Sequence, residues 1–162
     1  MVKREYDVAM RSFEQAIAIA PEAPDGYIGA ATVLQRQSKH EEVVKLLDGV
    51  VQRISSPTLH NLLADSARVL ANRGRHELVD LALGNYQLYH ESIPNPVSMF
   101  YAAELIFFRL KDPERALELY QRSWERDVKS REAFNGILKC LRQLGRQQEI
   151  AGLEARWKQT TK

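Results

Sequence analysis

One recurrence constrains this 162-residue chain more than any other feature. Ala9, Val43, Val79, Ala116 and Ile150 follow one another at a regular spacing, with a period of about 35 residues. Four positions after each small or β-branched residue comes a bulky one: Phe13, Leu47, Leu83 and Tyr120, with Glu154 breaking the series. Seven positions after each come Ala16, Val50, Tyr86, Ser123 and Trp157. Spacings of four and seven put these residues on one face of a helix. The small member lets a neighbouring helix approach closely, and the bulky member fills the space beside it. A period of this length marks a stack of similar units, because one such unit cannot bury both its faces alone.

Between these helices lies a second set with the same one-faced spacing. Tyr27, Ala30, Ala31 and Leu34 define the first of them, and Leu63, Ser66, Ala67 and Leu70 the second. Phe100, Ala103, Glu104 and Phe107 define the third, and Phe134, Ile137, Leu138 and Leu141 the fourth. Turn signals separate the two members of each pair at Ser38-Lys39, Gly74-Arg75, Lys111-Asp112-Pro113 and Gly145-Arg146. The breaks between pairs carry Pro21/Pro24, Ser55-Ser56-Pro57, Pro94/Pro96 and Asp127–Ser130, where proline removes a donor and clashes with a continuing helix. This pattern predicts nine helices, at 4–19, 24–37, 40–54, 57–72, 75–91, 95–110, 113–126, 130–143 and 146–159. No strand pattern competes with them. The expected domain is single and spans 1–162, with a half repeat at 1–21 and full repeats at about 24–56, 57–94, 95–128 and 130–160.

Composition narrows the class of function. A hydrophobic content of 44% and a charged content of 27% are ordinary for a chain with a packed core. The net charge of +2 is too small to argue for nucleic acid. The last fifth is basic, with eight Lys/Arg against three Asp/Glu over Lys129–Lys162, which reads as a solvated helical end or as a docking surface for an acidic partner. Cys140 is the one cysteine, so no intramolecular disulfide can form. No apolar run approaches the roughly 20 residues of a membrane span, and MVKREYDVAM lacks the apolar core of a signal peptide. A cytoplasmic protein is expected, or else a piece of a longer chain that could be exported.

The pitch, the helix–turn–helix unit and the Ala/aromatic/Ala/Pro positions in YDVAMRSFEQAIAIAP and DPERALELYQRSW resemble tetratricopeptide repeats (TPR). The match is good at 6–21 and 111–124 and looser between. The Trp usual early in the first helix is replaced by Tyr27, Leu63, Phe100 and Phe134. The resemblance implies an all-α, right-handed superhelix, an α-solenoid of antiparallel helix pairs, whose first helices line a concave groove. It implies four groove-lining sets: Asp25, Ile28, Thr32 and Gln35; Asn61, Ala64, Arg68 and Asn72; Ser98, Tyr101, Leu105 and Phe108; and Glu132, Asn135, Lys139 and Arg142. Met99–Leu110 is apolar on nearly every side, and its core side is assigned to Phe100, Ala103 and Phe107. Tyr101, Leu105 and Phe108 are then expected to floor the groove between cationic walls made by Arg68, Lys139 and Arg142, with Asn72 and Asn135 beside them. That surface would suit a peptide or helix with apolar anchors and acidic groups. The carboxylate clamp of some TPR domains is not matched, since Ile28 and Thr32 stand where Lys and Asn are wanted.

Other chemistry is hard to find. His40, His60, His76 and His90 form no metal-ligand spacing. Cys140 lies among leucines and reads as a buried, inert thiol. There is no nucleophile elbow and no Gly-rich phosphate loop, so no enzyme, metal or cofactor is expected. RNA reading would need more positive charge and polar residues at fixed slots. The expected function is therefore a non-enzymatic protein–protein interaction scaffold. The alternative is a homo-oligomerising module that uses the face of the first helix bearing Val8, Ala9, Phe13, Ala16 and Ile17.

Overall fold

The computed structural model describes residues 2–160, and nine α-helices account for most of them. They are α1 (Val2–Ile19), α2 (Pro24–Arg36), α3 (His40–Leu47), α4 (Pro57–Asn72), α5 (Val79–Ser92), α6 (Pro96–Leu105), α7 (Pro113–Arg126), α8 (Arg131–Gln143) and α9 (Gln147–Thr160). A single 3-10 turn, His76–Leu78, precedes α5, and a π-helical turn, Ile106–Leu110, continues α6. The helices fall into two compact units, Met1–Ser92 with α1 to α5 and Ile93–Lys162 with α6 to α9. The Pro94/Pro96 break lies at their boundary. Within each unit every helix packs on the next one in sequence.

The helix starts follow from proline and from short polar side chains. Pro24, Pro57, Pro96 and Pro113 each open a helix, at the position where a missing N–H costs nothing. Asn95 Oδ1 accepts from the N–H groups of Val97 and Ser98 at 2.9 and 3.1 Å. Asp112 caps α7 through Arg115 N–H at 3.1 Å, and Ser130 caps α8 through Ala133 N–H at 3.2 Å.

The turns inside the helix pairs share one device. Ser38, Gly74, Lys111 and Gly145 all have positive φ, at 58°, 109°, 58° and 71°. Each is followed by an N–H that reaches back to an orphan carbonyl: Lys39 to Leu34, Arg75 to Leu70, Asp112 to Ile106 and Arg146 to Leu141. Glycine adopts this left-handed conformation freely, whereas Ser38 and Lys111 adopt it against the clash of a Cβ.

Three boundaries differ from those the sequence predicts, and one of them is the fifth helix, expected from residue 75, which begins at Val79 after the 3-10 turn. The third helix, expected to run to residue 54, ends at Leu47. Residues 48–54 continue as irregular turns around Gly49, with Val50 bonding to Leu47 and Arg53 to Val50. The sixth, expected to run evenly to residue 110, has a π-helical last turn. That turn closes i to i+5, which adds a residue and offsets later side chains by about 100°.

Packing is tightest where a ring meets a glycine. A Cβ placed on Gly29 of α2 would lie 2.1 Å from the Phe13 ring of α1. A Cβ on Gly136 of α8 would lie 2.4 Å from the Tyr120 ring of α7. Ile17 stands over Gly26 in the same way, at 2.8 Å. Phe13 and Ile17, expected on an open face of the first helix, pack instead against α2. Val8 and Ile19 of α1 are 50% and 85% exposed.

The first unit's core joins Tyr27, Ala31 and Leu34 of α2 to Val43 and Leu47 of α3 and to Leu59 and Leu63 of α4. In the second unit Trp124, Phe134 and Trp157 form a chain of rings. Phe134 stacks on Trp157 at 4.5 Å and tilts against Trp124 at 6.4 Å. The Arg156 guanidinium lies 4.8 Å from the Trp124 ring centre.

The positive-φ turns give a direct test. Lys111→Gly is expected to stabilise the chain by about 1 kcal/mol, while Gly74→Ala destabilises it by about as much. Chemical denaturation of the two variants checks both signs.

Candidate functional site

The second unit gathers Tyr101, Phe108, Asn135, Lys139 and Arg142 of the expected groove residues around two clefts. Asn135, Lys139 and Arg142 of α8 line a cleft of about 360 Å³ with Phe100 and Glu104 of α6, Glu132 and Leu138. Their spacing along α8 places them on one face, opposite the face buried through Phe134, Ile137 and Leu141. A second cleft of about 350 Å³ shares Phe100 and Glu132 and adds Tyr101, Val97, Ser123 and Asp127. The two clefts meet at Phe100 of α6 and Glu132 of α8.

Lys139 has two neighbours on this surface. Its Nζ lies 4.0 Å from Glu104 Oε1 and 5.2 Å from the centre of the Phe108 ring. Phe108 is 42% exposed and meets Phe107 edge-on at 5.0 Å. Phe108 stands two turns after Tyr101, in a row of the helix away from the rows that bury Leu105 and Ile106.

Glu104 is held from below. The Tyr120 hydroxyl donates to its Oε1, while the Tyr120 ring is fully buried against Gly136. Burial, reinforced by the bond to Glu104, keeps the Tyr120 phenol far above its ordinary pKa. Tyr120 is therefore a neutral donor throughout the physiological range, and it fixes the carboxylate that accepts from it.

Three expectations are corrected here. Leu105, expected to face the groove, is 1% exposed. Two adjacent rows of α6 are buried, Ser98/Ala102/Leu105 and Met99/Ala103/Ile106, so one side-chain row fewer is left for a groove. Phe100, assigned to the core, lines both clefts. The walls are not simply cationic either, since Glu104 and Glu132 face Lys139 and Arg142. Periodicity alone does not reveal Glu104, because it stands one turn from Phe100 in a row read as packing.

Arg68 and Asn72 belong to the first unit, on α4. Asn72 is exposed at the end of that helix. Arg68 supports the core: its Nε donates to the Tyr86 hydroxyl at 3.0 Å, and its side chain is 19% exposed. The same hydroxyl donates to Asp65. Tyr86 is 0% exposed, so these two groups satisfy a phenol that would otherwise be stranded in the core. Burial, with the Asp65 carboxylate beside it, drives the Tyr86 pKa far upward. A bulky Tyr in a slot usually held by a small residue thus explains why Arg68 points inward.

The remaining candidates for chemistry are structural. Burial pushes the Cys140 thiol up to about 12, so it is protonated at neutral pH. His40 approaches Ser66 at 3.4 Å, and His60 bonds to the buried Asn85 at 2.7 Å. Among the described residues no group of three or more His, Cys, Asp or Glu could hold a metal ion, and no helix is long and apolar enough to cross a membrane.

Arg68 supplies a test of these roles. Arg68→Ala is expected to cost about 1–3 kcal/mol, because it strips a donor from a buried hydroxyl. Arg142→Ala, on an exposed face, should stay within about 0.5 kcal/mol of the parent. Thermal and urea unfolding of the pair would show the contrast.

Comparison with known proteins adds the fold-level context. No family model matches the chain, and no curated protein matches its sequence. Solved structures do match. MamA superposes with a TM-score of 0.79 at 11% identity, over 98% of this chain and 90% of MamA. YrrB, described as a TPR protein with an unusual peptide-binding site, gives 0.76 at 20% identity, over 93% of this chain and 75% of its own. TTC0263, a thermophilic TPR protein of Thermus thermophilus, gives 0.62 at 14% identity, over 96% of this chain and 83% of its own. At these identities the likeness is one of fold: the chain has the tetratricopeptide-repeat fold, an all-α solenoid of antiparallel helix pairs.

Proposed function

We propose that the chain is a non-enzymatic protein–protein interaction scaffold that takes a segment of a partner protein along α6 and α8. The observation that carries this reading is Lys139, poised between Glu104 and an exposed Phe108 at the rim of a cleft. An aromatic 42% exposed beside a cation is an anchor point, not core packing. Phe100, Tyr101 and Phe108 offer apolar contact, and Lys139, Arg142 and Asn135 offer polar contact to the same segment.

The charge pattern sharpens the expected ligand. Glu104 partly neutralises Lys139, so a purely acidic segment would gain from Arg142 and lose against Glu132 and Glu104. A segment with a bulky apolar anchor and a single carboxylate near it fits better than a polyanion. The fold supports such a role in general, because first helices of a TPR stack carry residues the core does not require. That YrrB carries a peptide-binding site is in keeping with this reading.

A random-peptide display selection against the whole chain would test it. Enriched peptides are expected to pair an aromatic or large aliphatic residue with an acid. Phe108→Ala should weaken them about tenfold or more, equivalent to about 1.4 kcal/mol, with folded stability changing by less than about 1 kcal/mol. Peptides that bind Phe108→Ala and Lys139→Ala as tightly as the parent would place the site elsewhere.

A further inference from the structure

We infer a second docking surface, independent of the α6/α8 cleft, in the first unit between α1 and α3. It is a cleft of about 620 Å³, floored by Ala30 and Leu34 of α2 and by Gln37 just past its end. Its inner lining is apolar, with Tyr6, Met10 and Ile17 from α1 and Leu46 from α3. Its two rims differ in charge. Asp7 and Glu14, two turns apart on one face of α1, line one rim and outnumber the single cation between them, Arg11. Lys39, just before α3, and Lys45 within it make the opposite rim basic, with Glu42 paired to Lys39 at 3.2 Å.

The repeat shows why this space is open. One uniform shift along the sequence carries α1, α2 and α3 onto α7, α8 and α9: Phe13 onto Tyr120, Gly29 onto Gly136, and Leu46 onto Leu153. It also carries the Lys39–Glu42 pair onto the Arg146–Glu149 pair. Under the same shift Ile17 becomes Trp124. In the second unit the Trp124 ring tilts against Phe134 and lies against the Arg156 guanidinium. The first unit carries the smaller Ile17 at that position, and Ile17 lines the cleft.

The occupant this surface fits is an amphipathic helix of another protein, with cations along one edge of its apolar stripe and acids along the other. Three features select it. The cleft runs between two helices over a third, the geometry that accepts a helix. It presents no sheet edge, so an extended segment would leave its main-chain groups without protein partners, whereas a helix satisfies its own. The opposed rims complement a helix of matching polarity and set its direction in the groove. From Tyr6 to Ile17 the α1 wall runs about 16 Å, roughly three helical turns.

The test uses three stapled helical peptides with one apolar stripe: one with Lys on one edge and Glu on the other, one with Lys on both, one with Glu on both. Binding to the whole chain is followed by fluorescence anisotropy at low salt and by amide chemical shifts. The mixed peptide is expected to bind about fivefold tighter than either other, with shifts centred on Met10, Leu34 and Leu46. Asp7→Lys with Glu14→Lys makes both rims basic. It alters only exposed side chains, and the doubly acidic peptide should then bind best. The inference is overturned if none of the peptides binds, if the shifts fall on α6 and α8, or if the order of affinities is the same before and after the double reversal.

Discussion

The contact on which the second unit depends is the Tyr120 ring lying on Gly136. Without a Cβ at that position, α7 and α8 approach closely enough for the ring to be fully buried. Because Tyr120 is then held in place, its hydroxyl reaches across to Glu104 on α6. One side chain therefore ties three helices, with its ring against α8 and its oxygen against α6. The first unit repeats the ring-on-glycine contact with Phe13 and Gly29, at the same separation in sequence. In the repeat that follows, the equivalent pair is Leu47 and Leu63, two aliphatic residues of one cluster. Ring-and-glycine and leucine-and-leucine are two ways of filling the same interhelical volume.

This packing reaches the surface through charge. Glu104 is fixed by the core-anchored phenol, and Lys139 lies near Glu104 on one side and near Phe108 on the other. The phenol and the ammonium together offset the desolvation of a partly buried carboxylate. Phe108, 42% exposed, lies within the π-helical turn Ile106–Leu110. Such turns occur often at functional positions because they break the helical phase at one point without ending the helix.

Much of this is readable from the chain itself. The repeat spacing locates every helix, the four positive-φ turns and the prolines that open α2, α4, α6 and α7. Those signals are local, and each residue type has a single-position reason for being there. What escapes is set by pairs of residues far apart in sequence. Arg68 reads as a groove cation, and only the buried hydroxyl of Tyr86 shows that the core requires it. Leu105 reads as exposed when a 3.6-residue face is extended across a helix buried on two rows and phase-shifted at its end. Phe13 and Ile17 read as uncovered because nothing local shows that Gly29 and Gly26 make room for them. Glu104 is hidden by its place in a packing row. A glycine in the middle of a first helix, set at a fixed distance from an aromatic in the helix before it, is the signal that exposes the ring contacts.

A double-mutant cycle on Tyr120 and Gly136 tests this account most directly. Gly136→Ala alone should destabilise the chain by about 1–3 kcal/mol, since the added methyl has nowhere to go. In a Tyr120→Leu background the same change should be neutral, or stabilising by up to about 1 kcal/mol through helix propensity, leaving a coupling of at least about 1 kcal/mol. Equal effects of Gly136→Ala in both backgrounds would contradict the claim that ring and glycine together set the spacing of these helices.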